Sequence, residues 1–470
     1  MADVPDFRTT TVEALAAAVQ AGEISARALT DAALANVDAH NPTLNAFVAV
    51  DADAARSAAD GIDARLAAGE TVGPLAGIPV GVKDLEDASG FRTTRGAAHL
   101  ADSPILDHDS TEVARLKAAG CVIIGKTNTP EFGFVGDTYN PTFGATKNPF
   151  NTERSPGGSS GGASAAVAGG LVPLATGSDG GGSIRIPSAL CGMSGLKPSQ
   201  GRIPHGPAPM GAADLSTVGP MARRIRDVAL ALDVVVGPSP DDLRSLPGPA
   251  TSFRAACDAP TAPTRLLYCP AIDGSDIDDE VAARTMVAVD RLREAGVEVV
   301  ETGAVLPDVF APFLLLFFGG MVPAYRELMG TPAFDAVTPD LQRILEMADE
   351  RLTPDSVEEA RKQAQANSIL LAEAMDGFDA LISPTVVGQT PISERGGMVN
   401  GEEVLGWVGN TYAFNVTRRP GGTTPIGRTD DGMPLGLQII GHQLADVRTV
   451  ELTAWCEDLF DLDLVASFPS

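Results

Sequence analysis

"STEVARLKAAG", residues 110–120, runs directly into "CVIIGKTN", residues 121–128. The first piece spaces its apolar residues three and four apart and ends on a glycine; the second is a short apolar run. A helix, a glycine stop and a buried strand make the αβ unit of a wound sheet. The same alternation returns later. "TRLLYCP" from Thr264 reads as a strand, "EVAARTMVAVDRLREAG" from Glu280 as a helix and "VEVVET" from Val297 as a strand. "LAGIPVGVKD" (75–84), "FDALISPTVVG" (378–388) and "PLGLQIIG" (434–441) add buried strands. The first 70 residues read as helices: Thr10-x-x-Glu13 fits a capping box before "VEALAAAVQAG", and further helices start near Ser25 and Asp51, with Gly22 and Gly69 as stops. The expected class is α/β with a mixed, mostly parallel central sheet. "GPSPDDLRSLPGPATSF" from Gly237 reads as a surface connection.

Composition bounds the function. The chain has 470 residues, 44% hydrophobic, enough for a large core, and a formal net charge of −27. A surface this acidic repels nucleic-acid phosphates and anionic membranes. "MADVPDFRTTTVEALAAAVQ" lacks a basic region followed by an apolar one, so it does not read as a signal peptide. The longest apolar run, "APFLLLFFGGMV" (311–322), is too short to span a bilayer. Five scattered cysteines, Cys121, Cys191, Cys257, Cys269 and Cys456, make no CxxC pair, so neither a disulfide framework nor a zinc site is expected. The cytoplasm is the expected compartment.

Three stretches carry candidate chemistry. "SPGGSSGGASAAVAGG" (155–170) has three readings. It resembles a phosphate cradle, but no lysine completes a Walker motif. Gly157-x-Ser159-x-Gly161 satisfies the GxSxG elbow of hydrolases, but "NPFNTERSP" before it is a poor strand. Of the histidines beyond it, neither His205 nor His442 forms a pattern with a carboxylate. The third reading is a plain turn. Ser194-Gly195-Leu196-Lys197 matches SxxK, but Gly195 and Pro198 oppose the helix that pair needs, so Lys197 reads as structural. Lysine is scarce, and Lys83 follows the apolar "GIPVGV". An ordinary lysine is neutral in only about one molecule in a thousand near neutral pH. Burial favours the neutral amine, which can act as a general base. The third stretch is "GSDGGGSIRIPSALCG" (177–192). Its glycines, Gly180 to Gly182, let successive N–H groups converge as an oxyanion hole requires, flanked by Asp179 and Arg185.

Together "GIPVGVKD", "SPGGSSGGASAAVAGG" and "GSDGGGSIRIPSALCGMSGLKPS" resemble the amidase signature family, with further matches at "GKTNTPEFG" (125–133), "NPFN" (148–151), "DALISPT" (379–385) and "GMPLGLQIIG" (432–441). The resemblance implies one amidase domain over 1–470, an α/β/α sandwich, with a signature core at 75–235 and a C-terminal part at 265–470 that completes the sheet and shapes the pocket. It implies a Ser–cis-Ser–Lys triad: Ser183 as nucleophile, Ser159 as the bridging serine after a cis peptide bond, and Lys83 as base. Backbone N–H groups of Gly180, Gly181, Gly182 and Ser183 would form the oxyanion hole, with Ser160, Asp179 and Arg185 in support. It implies no metal or organic cofactor, a small amide, ester or carbamate as substrate, and a monomer or homodimer. Two departures stand out. Gly180 sits where threonine is common, which resembles nylon-oligomer hydrolases and urethane-cleaving relatives. Arg418, in "FNVTRRPGGTTPIG" (414–427), stands where glycine is usual, which puts the pocket's shape in doubt. Two alternatives stay open: the glutaminase (A) subunit of a tRNA-dependent amidotransferase, and a nucleotide- or anion-binding module using the glycine loops. "FLLLFF" (313–318) is either plain core or an acyl pocket that favours apolar substrates.

Overall fold

Strands form where the apolar runs are shortest and richest in β-branched residues, and a computed structural model describes them over residues 4–207, 215–307 and 309–467. Residues 208–214 of the expected signature core, and the first three residues of the N-terminal reading, lie outside this description. The strands are β1 Phe47–Val50, β2 Pro79–Lys83, β3 Val122–Thr127, β4 Leu174–Asp179, β5 Gly195–Lys197, β6 Thr217–Met221, β7 Arg265–Tyr268, β8 Glu298–Glu301, β9 Ala380–Pro384, β10 Met398–Val399, β11 Glu402–Glu403, β12 Gly421–Arg428 and β13 Pro434–Ile440. Five of them run in the order β1-β3-β2-β4-β6 and six in the order β5-β12-β13-β9-β7-β8; β10 and β11 make a separate hairpin. The two larger sheets abut where Ser194 N–H, just before β5, donates to Arg223 O at 3.0 Å, just after β6.

Every residue of β2, β3, β4, β9 and β13 is buried. Successive residues on a strand face opposite sides, so both faces of these strands are covered, which is the α/β/α arrangement. The sheet is mixed as expected, but less of it is parallel. Pairings β2–β3, β2–β4, β7–β8 and β7–β9 are parallel. Pairings β1–β3, β4–β6, β5–β12, β12–β13 and β9–β13 are antiparallel. The antiparallel share escapes the sequence pattern because β1, β4, β5 and β6 are short or are glycine-, threonine- or proline-bearing strands with weak apolar signals.

The quoted αβ unit folds as read: helix Thr111–Ala118, capped by Ser110, leads through Gly120 (φ 98°) into β3. The first helix starts one residue later than the capping box suggests. Thr11, not Thr10, accepts from Ala14 N–H and caps Val12–Gln20. Gly22 (φ 72°) and Gly69 (φ 74°) end their helices in left-handed turns. Arg418 (φ 58°) occupies such a position too, exposed in the turn after helix Gly409–Val416. That geometry explains why glycine suits the site, and it places this departure at an exposed turn.

Lys83 is the last residue of β2 and Asp179 the last of β4, so the signature residues gather at the carboxyl ends of neighbouring parallel strands. That is the general location of sites in open α/β sheets. Helix Gly161–Ala168, all eight residues buried, packs beneath them. A Cβ on Gly162 would lie 2.3 Å from Asn128 N. Gly162→Ala is therefore expected to cost about 1–3 kcal/mol through overpacking, read as a lower urea midpoint with an unchanged slope.

Candidate active site

Lys83 reaches its place because β2 delivers it, without a bend, from a fully buried strand. Its amine meets three hydroxyls: Ser159 Oγ at 2.8 Å, Ser160 Oγ at 2.8 Å and Ser178 Oγ at 2.9 Å. Its own N–H donates to Thr176 Oγ1 at 3.0 Å. No carboxylate bonds the amine. Burial therefore dominates, and although Glu86 and Asp179 oppose it, the group falls from its ordinary value to about 7. Half of the Lys83 side chains are then neutral at neutral pH. Three hydroxyls suit both forms, since each can accept a proton from an ammonium and any one can donate to an amine.

Ser159 follows a cis peptide bond from Gly158, as the resemblance implies. The turn of "PEFG" closes over it: Phe132 is left-handed (φ 52°), and a Cβ on Gly133 would lie 2.9 Å from Ser159 Oγ. Ser160 links the two loops, donating its N–H to Ser183 O at 3.3 Å. Ser183 itself is 8% exposed, and its hydroxyl makes no hydrogen bond among the described residues.

The loop from 180 to 183 is braced from behind. Asp179 and Arg185 are both fully buried and joined by two bonds, Nε–Oδ2 at 3.0 Å and Nη2–Oδ1 at 2.9 Å. Asn415 Nδ2 donates to Asp179 O at 2.7 Å and to Oδ1 at 2.9 Å. Arg185 is held in turn by Gln438 Oε1 at 2.6 Å, Asn415 Oδ1 at 2.8 Å and Thr411 O at 3.0 Å. Burial alone would raise the Asp179 carboxyl, but the Arg185 guanidinium outweighs it and holds the group well below the usual carboxylate range. The expected oxyanion set needs one correction. Gly182 N–H, in a left-handed turn (φ 125°), is committed to Asp179 Oδ1 at 2.8 Å. The N–H groups of Gly180, Gly181 and Ser183 make no hydrogen bond among the described residues.

"FLLLFF" lies against this loop. Phe313 and Phe317 stack at 5.1 Å, and Phe313 stacks on Tyr412 at 5.0 Å. A Cβ on Gly180 would come 2.4 Å from Phe317 Cε2, and one on Gly181 2.8 Å from Phe313 Cζ. The unusual Gly180 is thus the room that Phe317 occupies.

The decoys separate cleanly. Ser194 Oγ bonds Glu457 Oε1 at 2.5 Å and Thr424 Oγ1 at 3.1 Å, while Lys197 Nζ bonds Pro198 O at 3.0 Å, so SxxK is not a pair. The phosphate reading fails because Gly161 and Gly162 N–H already donate to Thr138 Oγ1 (3.1 Å) and Asn128 O (3.2 Å). His442 bonds Phe378 O at 2.8 Å. Among the described residues no group of His, Cys, Asp or Glu is arranged to hold a metal, and no helix is long and apolar enough to cross a membrane. Sequence reasoning missed Ser178, Thr176, Thr411 and Asn415. The first two had a signal: they sit two apart on β4, and so share a face with each other.

The family model described as Amidase matches residues 28–450, and this chain belongs to that family. It is 35% identical over 454 residues to the acylamidase of Rhodococcus erythropolis, covering 94% of this chain and 93% of the relative. It is 36% identical over 451 residues to a component of the glutamyl-tRNA(Gln) amidotransferase of Roseiflexus sp. (strain RS-1), its glutaminase-type (A) subunit, covering 90% and 91%. Among solved structures, a bacterial aryl acylamidase of the amidase signature family superposes with a TM-score of 0.90 at 28% identity, over 98% of this chain and 99% of the other. A 6-aminohexanoate cyclic dimer hydrolase gives 0.88 at 31% identity, over 99% of each chain. The chain is an amidohydrolase.

Because Gly180 and Phe317 fill one space, Gly180→Ala is expected to lower kcat/KM by about tenfold. Phe317→Ala in the same chain should restore most of that loss. A double-mutant cycle with no coupling between the two positions would contradict the packing argument.

Proposed function

We propose that this amidohydrolase cleaves small linear amides through an acyl-enzyme on Ser183, with activity extending to anilides, esters and carbamates. The observation that carries the reading is the buried Lys83 amine on three serine hydroxyls, one of which, Ser159, belongs to the loop whose next residue bonds Ser183.

The steps follow from the groups present. Ser183 Oγ attacks the amide carbon, its proton passes to Ser159 Oγ, and the Ser159 proton passes to neutral Lys83. The oxyanion meets the free N–H groups of Gly180, Gly181 and Ser183. The C–N bond then breaks, and the proton returns from Lys83 through Ser159 to the leaving amine. Water attacks the Ser183 ester, gives its proton along the same path, and releases the acid as Ser183 is reprotonated. Asp179 and Arg185 take no proton; they hold the loop in place. The stacked Phe313 and Phe317 beside that loop favour an apolar or flat substrate group over a polar one.

The amidotransferase relatives sustain a second reading, a glutaminase role, which the apolar wall disfavours. Ser183→Ala and Lys83→Ala are each expected to lower turnover of an anilide reporter by at least about a thousandfold. Lys83 must be neutral to accept a proton, so kcat/KM should climb through about pH 7 and level off above it. Unchanged turnover in Ser183→Ala would sink the assignment. Hydrolysis of glutamine in preference to anilides by the purified chain would select the second reading.

A further inference from the structure

Behind Lys83, away from Ser159, lie two carboxyl groups that the reaction scheme does not use. Glu86 is 4% exposed and Glu112 1%. Glu86 follows β2, and its N–H donates to Lys83 O at 2.9 Å. Glu112 stands in the first turn of helix Thr111–Ala118. As carboxylates, all four of their side-chain oxygens are buried without a hydrogen-bond partner. Two ionised carboxylates in contact, dry and unpartnered, are not a stable arrangement. Both line a small cavity of about 30 Å³, shared with Arg95 and His205. His205 Nδ1 is also buried and unpartnered.

We propose that Glu86 and Glu112 share one proton, so that a single fixed negative charge stands behind Lys83 and sets the pH at which Lys83 turns neutral. One proton makes Glu112 a donor and Glu86 an acceptor, which satisfies a pair that is otherwise orphaned.

The neighbours say which group keeps the charge. Glu86 lies among cations: Lys83 beside it in sequence, and Lys126 of β3, whose Nζ bonds Glu86 O at 2.6 Å and pairs with Asp84 at 3.2 Å. Glu112 has no cation acting on it. The remaining charged groups about the pair are Asp87, Arg95, His205 and, across β4, Asp179. Burial pushes Glu86 up to about 7 against the pull of Thr176 and the two lysines, and raises Glu112 well above the usual carboxylate range. The proton therefore rests on Glu112 and the charge on Glu86. Glu86 is a positioning residue: it touches no substrate and acts through Lys83. The small cavity has room for about one water, a third partner for the same groups.

This inference rests on Lys83 being the base, and two independent readouts keep the two claims apart. The first is infrared spectroscopy of the whole protein at pH 7.5 to 8.5, where ordinary carboxyls are ionised. A protonated carboxylic acid band is expected in the wild type and in Glu86→Gln, and its loss in Glu112→Gln. The second is the pH profile of kcat/KM. In Glu86→Gln the acidic limb should move to lower pH by about one unit, because the amine loses a stabilising anion. In Glu112→Gln, whose amide still donates to Glu86, the limb should stay near its wild-type position. Absence of the infrared band, or an unmoved limb in Glu86→Gln, overturns the proposal. If a variant fails to fold, the wild-type band and its titration decide alone. Activity surviving in Lys83→Ala would overturn the catalytic reading and leave the infrared result standing.

Discussion

The rest of the site depends on one burial: the Lys83 amine, held off from water and given no carboxylate to pair with. A lysine in that position is driven toward its neutral form. The three serine hydroxyls are what make this tolerable, because they serve an amine and an ammonium alike without any side chain moving. A carboxylate in their place would fix the charge and remove the base. The strand that carries Lys83 is buried along its whole length, so the sheet supplies desolvation as a by-product of its own packing.

Charge is handled in the opposite way at the end of β4. Asp179 and Arg185 are kept ionised in a dry place, with nearly every lone pair and N–H matched by a partner from the loop, from helix Gly409–Val416 or from β13. A buried pair of this kind is weak evidence of stability and good evidence of a specified geometry. What it specifies is the path of Gly180 to Ser183. The aromatic stack closes the other side of that loop, and the absence of a side chain at 180 lets it come so near. The nucleophile loop is thus clamped between a polar brace and an apolar wall.

Much of this is legible in the chain itself. The αβ units, Lys83 in its apolar run and the glycine-flanked serines are local signals, set by periodicity and by residue types with few alternative uses. The resemblance to a known family then orders them. Less legible are features decided by distant contact. Ser178 joins Lys83 only because β4 lies beside β2, and Asn415 reaches Asp179 from a remote part of the chain. Gly182 reads as a free donor because sequence shows a glycine run but not which N–H a neighbouring carboxylate has taken. The sheet's antiparallel share is hidden for a related reason: β1 and β6 are short or proline-bearing, and their pairing is fixed by partners, not by their own pattern. "FLLLFF" can be read as core or pocket, and it is packed both ways: its rings lie on one another and also on the nucleophile loop.

The central claim is that Lys83 is neutral near physiological pH. The chain has six lysines, so nitrogen-15 labelling of lysine gives a sparse spectrum in which the Lys83 side-chain resonance is the one lost on Lys83→Met. Followed across pH, that resonance is predicted to titrate near 7. A Lys83 that stays protonated up to the ordinary lysine range, about 10.4, would contradict the account.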